Sequence, residues 1–307
     1  MNEALERRET AFAAFRACLP PHYKLAPLVD RCAIPPALRK RLEDAVFTYM
    51  CAGLDYREPI YTHHTLLQEY DACPQPHVTP NGILVPKRNT ILEYNLVVRA
   101  FAALMKYYGF GHLVQSWHVP LNVRFKSSYI IPGNLDRARP TEFAHSDAWA
   151  GESSESVTVH IPLFGDLEHN YLKLYTPDDS FEEGWLKPLP TYKAADPLLS
   201  HYKALEERPR AGTVVFADFA TLHGSEREMN CGPRVTIDTA FILKKPVMVG
   251  RAHSDRVGER ARPEVLEGIG ENYLFYFPNT VEEWVENKSG FKHPTNLMLV
   301  PLPGAGQ

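Results

Sequence analysis

The sequence lacks any close pair of cysteines. Its five, Cys18, Cys32, Cys51, Cys73 and Cys231, are odd in number and scattered. Such a set builds neither a disulfide framework nor a thiolate zinc site, and it reads as reduced thiols in a cytoplasmic protein. Long apolar runs are missing too: the best stretch, 97–108, is short and carries Arg99 and Lys106, so no membrane span is expected. The charged segment from Met1 to Arg8 has no apolar stretch behind it, so a secretory leader is not expected either. No sign of charge dominates. Lys and Arg number 33 against 37 Asp and Glu, a net −4, and the basic residues are dispersed. That pattern leaves no footprint for nucleic acid or an anionic membrane. Internal repeats and low-complexity tracts are also absent. What remains, with 44% hydrophobic and 23% charged residues, is an ordinary soluble globular chain of 307 residues, expected to form one domain.

The chain divides by texture into a helical and irregular buttress (1–112), a β-rich core (113–250) and a C-terminal extension (251–307). In 3–17, Leu5, Phe12 and Phe15 recur at helical spacing. A proline-rich link (Pro20, Pro21, Pro27) follows, and Pro35-Pro36 opens a second helix carrying Leu38, Leu42, Val46 and Met50. Residues 56–88 read as a long irregular surface segment. Asn89 or Thr90 is placed to cap a third helix, with Ile91, Tyr94, Val98, Phe101 and Met105 on its buried stripe and Gly109 and Gly111 ending it. From residue 113 short runs rich in Val, Ile, Thr, Phe and Tyr (119–131, 156–164, 171–175, 212–217, 234–243) predict a sandwich or small barrel. Residues 178–210 read as an insertion with a short helix near 197–207, and 280–285 as a helix in the tail.

Three residues carry the chemistry. His145 and Asp147 are two apart, so in extended chain they share a face and can reach one metal ion. His223, on a later β run, supplies a third ligand. Two imidazoles and a carboxylate leave open positions on an octahedral iron(II), as oxygen activation beside a bidentate co-substrate requires. A lone His-x-Asp among 13 histidines is more often a surface turn. Eleven residues after His223, however, comes Arg234-Val-Thr236, where a guanidinium and a hydroxyl on one strand face can grip a carboxylate.

His145-x-Asp147, His223 and Arg234-x-Thr236, in this order on β segments, resemble the iron(II)/2-oxoglutarate-dependent dioxygenase superfamily across roughly residues 115–245. The resemblance implies a double-stranded β-helix, or jelly roll, with helices against one sheet. It implies that His145, Asp147 and His223 bind Fe(II), and that Arg234 and Thr236 anchor the distal carboxylate of 2-oxoglutarate, threonine standing for the commoner serine. Molecular oxygen is then the second co-substrate, and oxidation of a small-molecule substrate is coupled to decarboxylation of the keto acid. Related halogenases replace the aspartate with a small residue to admit chloride, so Asp147 implies hydroxylation or another halide-free oxidation. His145-x-Asp147-x-Trp149-x-Gly151, the run from Val159 to Asp166 and the run from Arg234 to Asp238 are similar to a subgroup associated with streptomycin biosynthesis, which points to sugars, aminoglycosides or amino-acid-like molecules.

Around this core, Trp149 and Glu152 are expected at the substrate mouth, together with 56–88 and 178–210. Arg124, with Asn122 and Lys126 of like parity, is a further substrate candidate, although a solvated face is the simpler expectation. His160 is expected to be a buried, hydrogen-bonded histidine, and Asp238 either an orienting group near the metal or a strand-edge charge. Two other readings stay open: a cupin-like metal protein or isomerase without oxygenase activity, and a hydroxylase acting on a polypeptide. Arg234-x-Thr236 discriminates against the first. Substrate identity and oligomeric state are not legible.

Overall fold

The computed structural model describes residues 2–56, 61–75, 77–87, 89–117 and 121–244, and two short strands at 273–276 and 298–301. Four helices precede most of the sheet. In α1 (Glu3–Arg16) the Asn2 side chain accepts from the Ala4 amide, and acids stand in the first turn with Arg16 in the last, as the helix dipole favours. Helix α2 (Pro36–Gly53) starts with proline at its first position. Thr62 and Thr65 form a reciprocal capping box for α3 (His63–Ala72). Helix α4 (Ile91–Tyr108) ends at Gly109, whose φ of 78° suits a residue without a Cβ. No helix among the described residues is long and apolar enough to cross a membrane.

The strands are β1 (His22–Ala26), β2 (Val29–Ala33), β3 (Ile83–Leu84), β4 (Val114–Trp117), β5 (Asn122–Lys126), β6 (Ser156–Gly165), β7 (Asn170–Pro177), β8 (Tyr202–Ala204), β9 (Thr213–Asp218), β10 (Leu222–Arg227), β11 (Arg234–Leu243), β12 (Tyr273–Tyr276) and β13 (Met298–Pro301). The main sheet runs β1-β2-β9-β6-β11-β5-β3, with β4 also on β11; a smaller sheet runs β10-β7-β8, and β12 pairs with β13. All strand pairs are antiparallel. The chain passes from one sheet to the other: β5 in the main sheet, His145 bridged to His223 in the small one, β6 back in the main, β7 and β8 small, β9 main, β10 small, β11 main. This alternation is a jelly roll with flanking helices, and the sheets do not close into a barrel.

Period-2 alternation explains what each face of the main sheet does. One set of side chains (Val157, Val159 and Ile161 of β6, Phe216 of β9, Val235 and Ile237 of β11, Val123 of β5) joins the core formed with α1, α2 and α4. Phe216 lies in the middle, its ring meeting Phe15, Tyr108 and Phe110. Each such buried aromatic contributes roughly 1.5–3 kcal/mol of transfer free energy. The other face divides in two. Val215 and Ala217 pack with Val29, Ala26 and Leu174, which seals the β9 side against the small sheet. On β5, β11 and β6 the same face is buried yet polar: Asn122, Lys126, Arg234, Thr236, Thr158 and His160. A polar interior facing a second sheet marks the place for a ligand.

Several expectations change. The proline-rich link is in fact the β1/β2 hairpin, which extends the main sheet beyond β9 through β2. Ladder hydrogen bonds hold β2 to β9, so this segment belongs to the sheet rather than to a buttress. The segment 56–88 is less irregular than its prolines suggested, since it contains α3 and β3. In 178–210 the helical stretch lies earlier than expected, as a 3-10 segment Tyr192–His201 with Pro197 inside it. The helix expected at 280–285 lies outside the described residues. One tie was invisible in the sequence: Arg8 of α1, fully buried, meets Asp218 at 2.6 Å and Glu183 at 2.7 Å, and so pins the first helix to the end of β9.

Candidate active site

His145 and His223 lie opposite each other on neighbouring strands. Each donates its amide to the other's carbonyl, at 2.9 and 2.8 Å, which places both rings on one side, 4.4 Å apart. The two chains approach closely at Gly224, where a Cβ would stand a tight 3.1 Å from the Ala144 amide nitrogen and the Phe143 carbonyl. Asp147 follows at the start of a 3-10 turn, Asp147–Ala150. Ser146 fixes that turn, its hydroxyl donating to the Phe219 carbonyl at 2.8 Å and accepting from the Ala148 amide. Asp147 Oδ1 consequently lies 3.7 Å from His145 Nε2 and 3.9 Å from His223 Nε2, and one ligand atom from each of the three falls within 4.8 Å of the others.

The protonation chemistry suits a cation. His145 Nδ1 meets the Phe143 carbonyl at 2.7 Å, which makes Nδ1 the protonated nitrogen and leaves the Nε2 lone pair directed at Asp147. Burial, then His223, holds this imidazole well below its usual pKa, so it is neutral. Tyr192 stacks on its ring at 4.2 Å and 18°. Two imidazoles, with His145 held neutral, and a partly exposed carboxylate converging on one point are a fitting donor set for a divalent metal.

On the main sheet, whose interior face meets β10, Arg234 is 1% exposed. Its Nε donates to Asn170 Oδ1 at 3.0 Å and one terminal nitrogen to Ser225 Oγ at 3.3 Å, both neutral partners. Among the described residues no carboxylate pairs with it. Burial first, then Arg227 and Arg124, push its pKa down to about 9. Next to it Thr236 is fully buried, and its hydroxyl has no hydrogen-bond partner. An uncompensated guanidinium and an orphan hydroxyl on one face are costly unless a carboxylate-bearing ligand completes them.

The neighbouring polar groups are committed elsewhere. Arg124 forks onto Asp238, 2.7 Å from each nitrogen to its oxygen, and donates to the Asn81 carbonyl. Asn122 Nδ2 also donates to Asp238. Burial works to raise the Asp238 pKa, but Arg124 and Asn122 outweigh it and hold the group ionised. The solvated face expected for Asn122, Arg124 and Lys126 is therefore wrong: these residues turn inward, where Asp238, the Asn81 carbonyl, Thr141 and Glu142 engage them. Asp238 is likewise no strand-edge charge. Lys126 is buried against Glu142 (2.9 Å) and Thr141 (2.7 Å), with Arg227 3.6 Å from the same carboxylate. His160 is buried as expected, but its ring has no hydrogen-bond partner among the described residues.

Trp149 and Glu152 do not stand at an open mouth. Trp149 is fully buried with Tyr192 and Leu222, and its indole N–H donates to the Trp185 carbonyl at 2.8 Å; Glu152 is 7% exposed. The turn after Asp147 folds inward because Trp149 has an apolar pocket and a carbonyl to reach. Sequence reading missed Asn170, Ser225 and Tyr192. Ser225 had a signal, sharing parity with His223; Tyr192 had none, since only the return of the 178–210 segment brings it to His145.

No protein-family model and no curated protein sequence matches the chain. Among solved structures it is similar to SnoN, described as a non-heme alpha-ketoglutarate-dependent epimerase from nogalamycin biosynthesis and seen in complex with Fe3+, alpha-ketoglutarate and nogalamycin RO. The identity is 15%, over 78% of this chain and 83% of that one, with a TM-score of 0.43. It is also similar to AviO1 from Streptomyces viridochromogenes (16% identity, 70% and 89% covered, TM-score 0.39). A third is EctD from S. alaskensis with 2-oxoglutarate and 5-hydroxyectoine (14%, 78% and 82%, TM-score 0.39). At TM-scores of this size the weight of any functional reading falls on the chain's own residues.

Proposed function

We propose that this protein is an iron(II)- and 2-oxoglutarate-dependent oxygenase that oxidises a small polar molecule. The observation that carries the reading is Arg234: a buried guanidinium without a counter-ion, beside the orphan hydroxyl of Thr236, reaching across to Ser225 on the strand that carries His223 of the metal-ligand cluster. A metal-binding protein or isomerase of the same fold that takes no keto acid has no use for a second, carboxylate-shaped vacancy of charge next to its metal.

In this reading His145, Asp147 and His223 hold the iron, and Arg234 with Thr236 binds the distal carboxylate of 2-oxoglutarate. With iron bound, the site supplies oxygen activation coupled to decarboxylation of the keto acid. The protein's own part is placement. The backbone pair His145–His223 and the Ser146-braced turn fix the three ligand atoms, and Phe143 and Tyr192 set the orientation of His145. Asn170 and Ser225 hold Arg234 from one side, leaving its remaining N–H groups for the ligand. Burial of this whole row strengthens the anion contact by excluding water. Asp147 supplies a carboxylate where a halide site would need room, which supports hydroxylation or another halide-free oxidation. Sugars, aminoglycosides and amino-acid-like molecules are the first substrates to try.

The test is oxygen-dependent conversion of 2-oxoglutarate to succinate by iron-loaded protein, with a panel of those molecules present in turn. Stimulated succinate formation with matching substrate oxidation supports the reading; iron binding without any succinate at all, with every member of the panel, refutes it.

A further inference from the structure

His160 has no task in the site as so far described. It lies on β6 in register with Asp238 of β11, on the polar interior face. It is 3% exposed, and its ring makes no hydrogen bond to a described residue. The charged and titratable groups around it are Arg234, Asp238, His223 and Arg124. Burial above all, then Arg234, pushes its pKa down to about 3, so the ring is neutral and keeps one N–H to give. An imidazole on this polar interior face that bonds to no described group is free to meet a ligand.

Register shows which part of a ligand it would meet. Along β11, Arg234, Thr236 and Asp238 follow at steps of two, each step advancing roughly 6.8 Å, and β6 lies about 4.8 Å to one side. A short dicarboxylic acid with one end on Arg234 and Thr236 has its other end about one step along, in the row of Asp238 and His160. The nearest other donors point elsewhere. Arg124 gives two nitrogens to Asp238 and one to the Asn81 carbonyl, and Asn122 gives its amide to Asp238. His223 directs Nε2 toward Asp147. Asp238 itself repels an anion.

We propose that His160 donates a hydrogen bond to the far carboxylate of the acid anchored on Arg234 and Thr236, and so selects short dicarboxylates over monocarboxylates. This rests on the carboxylate-clamp reading above, and the experiment separates the two. Metal-free protein is titrated with 2-oxoglutarate, glutarate and pentanoate, which keeps one carboxylate only, by calorimetry or ligand-observed NMR. Wild type binds both dicarboxylates at least tenfold more tightly than pentanoate. His160→Phe brings them down to the level of pentanoate, leaves pentanoate unchanged and melts no lower than wild type; His160→Gln, which keeps a donor, retains part of the preference. A wild-type protein without the preference, a His160→Phe protein that keeps it, or equal loss of all three acids overturns the assignment. Arg234→Gln should lose all three acids. Unchanged binding there refutes the clamp itself, whereas its loss alongside a normal His160→Phe refutes only the role of His160.

Discussion

His145 and His223 exchange both of their backbone hydrogen bonds, so the two imidazoles are set side by side by main chain rather than by the ion they would bind. A site built this way is preorganised, and its backbone should survive the loss of any one side chain. His145→Ala, His223→Ala and Asp147→Ala are therefore expected to keep the wild-type circular dichroism while losing stoichiometric iron or zinc binding. Asp147 is 30% exposed at its side chain, and its replacement should move stability by no more than about 0.5 kcal/mol. A variant that still takes up one equivalent of metal with unchanged affinity would remove that residue from the ligand set.

The Tyr192 ring lies against His145 and limits how that imidazole can turn. Groups that orient a metal-binding histidine typically account for 10- to 100-fold in affinity, by rough precedent. Tyr192→Phe keeps the stack and should bind metal within about threefold of wild type, whereas Tyr192→Ala should lose about tenfold or more. Equal affinities for the two variants in a competition titration would reduce the contact to packing.

How far the sequence could be read depends on whether a residue's partner is close along the chain. The face shared by His145 and Asp147, and by Arg234 and Thr236, follows from the two-residue period, as does the run of β11. Helix α4 was legible from its apolar stripe and Gly109. The hairpin β1/β2 was not, because its prolines and charges read as a link and its strand partner, β9, lies far away in sequence. The interior charges misled for a related reason. Asn122, Arg124 and Lys126 have the alternation of a solvated strand face, and only partners distant in sequence or unmarked in it, Asp238, Asn81 and Glu142, make that face an interior. Arg8, which meets Asp218 across most of the chain, carried no local signal at all.

Trp149 gives a contrasting expectation. Its ring is enclosed with Tyr192 and Leu222, and its N–H is taken by the Trp185 carbonyl. Trp149→Ala should accordingly lose about 3–5 kcal/mol of stability, as large buried aromatics do when truncated. Urea unfolding measures this directly. A variant that unfolds like wild type but oxidises substrate poorly would move Trp149 back to the substrate side.

Arg234 is expected to trade stability for binding. Replacing it with methionine removes a buried charge that has only neutral partners, so the ligand-free protein should melt at or above the wild-type temperature. The same change should raise the 2-oxoglutarate requirement roughly 10- to 150-fold, the equivalent of about 1.5–3 kcal/mol for charge-assisted hydrogen bonds. A lower melting point with an unchanged requirement would make Arg234 a structural residue and leave another cation to bind the acid.

Lys126 sets a pH dependence whose sign can be worked out. Burial is the largest influence on it and pushes its pKa down to about 7; Glu142 opposes this, and Arg124 and Arg227 add to it. In the unfolded chain a lysine titrates near about 10.4, so between those two values the unfolded state holds more protons than the folded one. Stability contributed by this group is therefore present at high pH and lost as pH falls through the window, with a slope of up to about 1.4 kcal/mol per pH unit. Glu142 is shifted the other way: burial raises its pKa, but Lys126 and Arg227 outweigh this and hold it below the usual carboxylate range, so its own transition lies at acid pH, outside the window. The comparison that isolates Lys126 is the stability of wild type minus that of Lys126→Met, measured by urea unfolding at intervals from about pH 6 to about pH 10. Groups that do not interact with Lys126 cancel, while Glu142 loses the lysine in the variant and keeps Arg227. The difference should rise with pH in favour of wild type. A flat difference would mean that Glu142 keeps Lys126 charged throughout, and that the interior beside Arg234 carries one more positive charge than burial allows here.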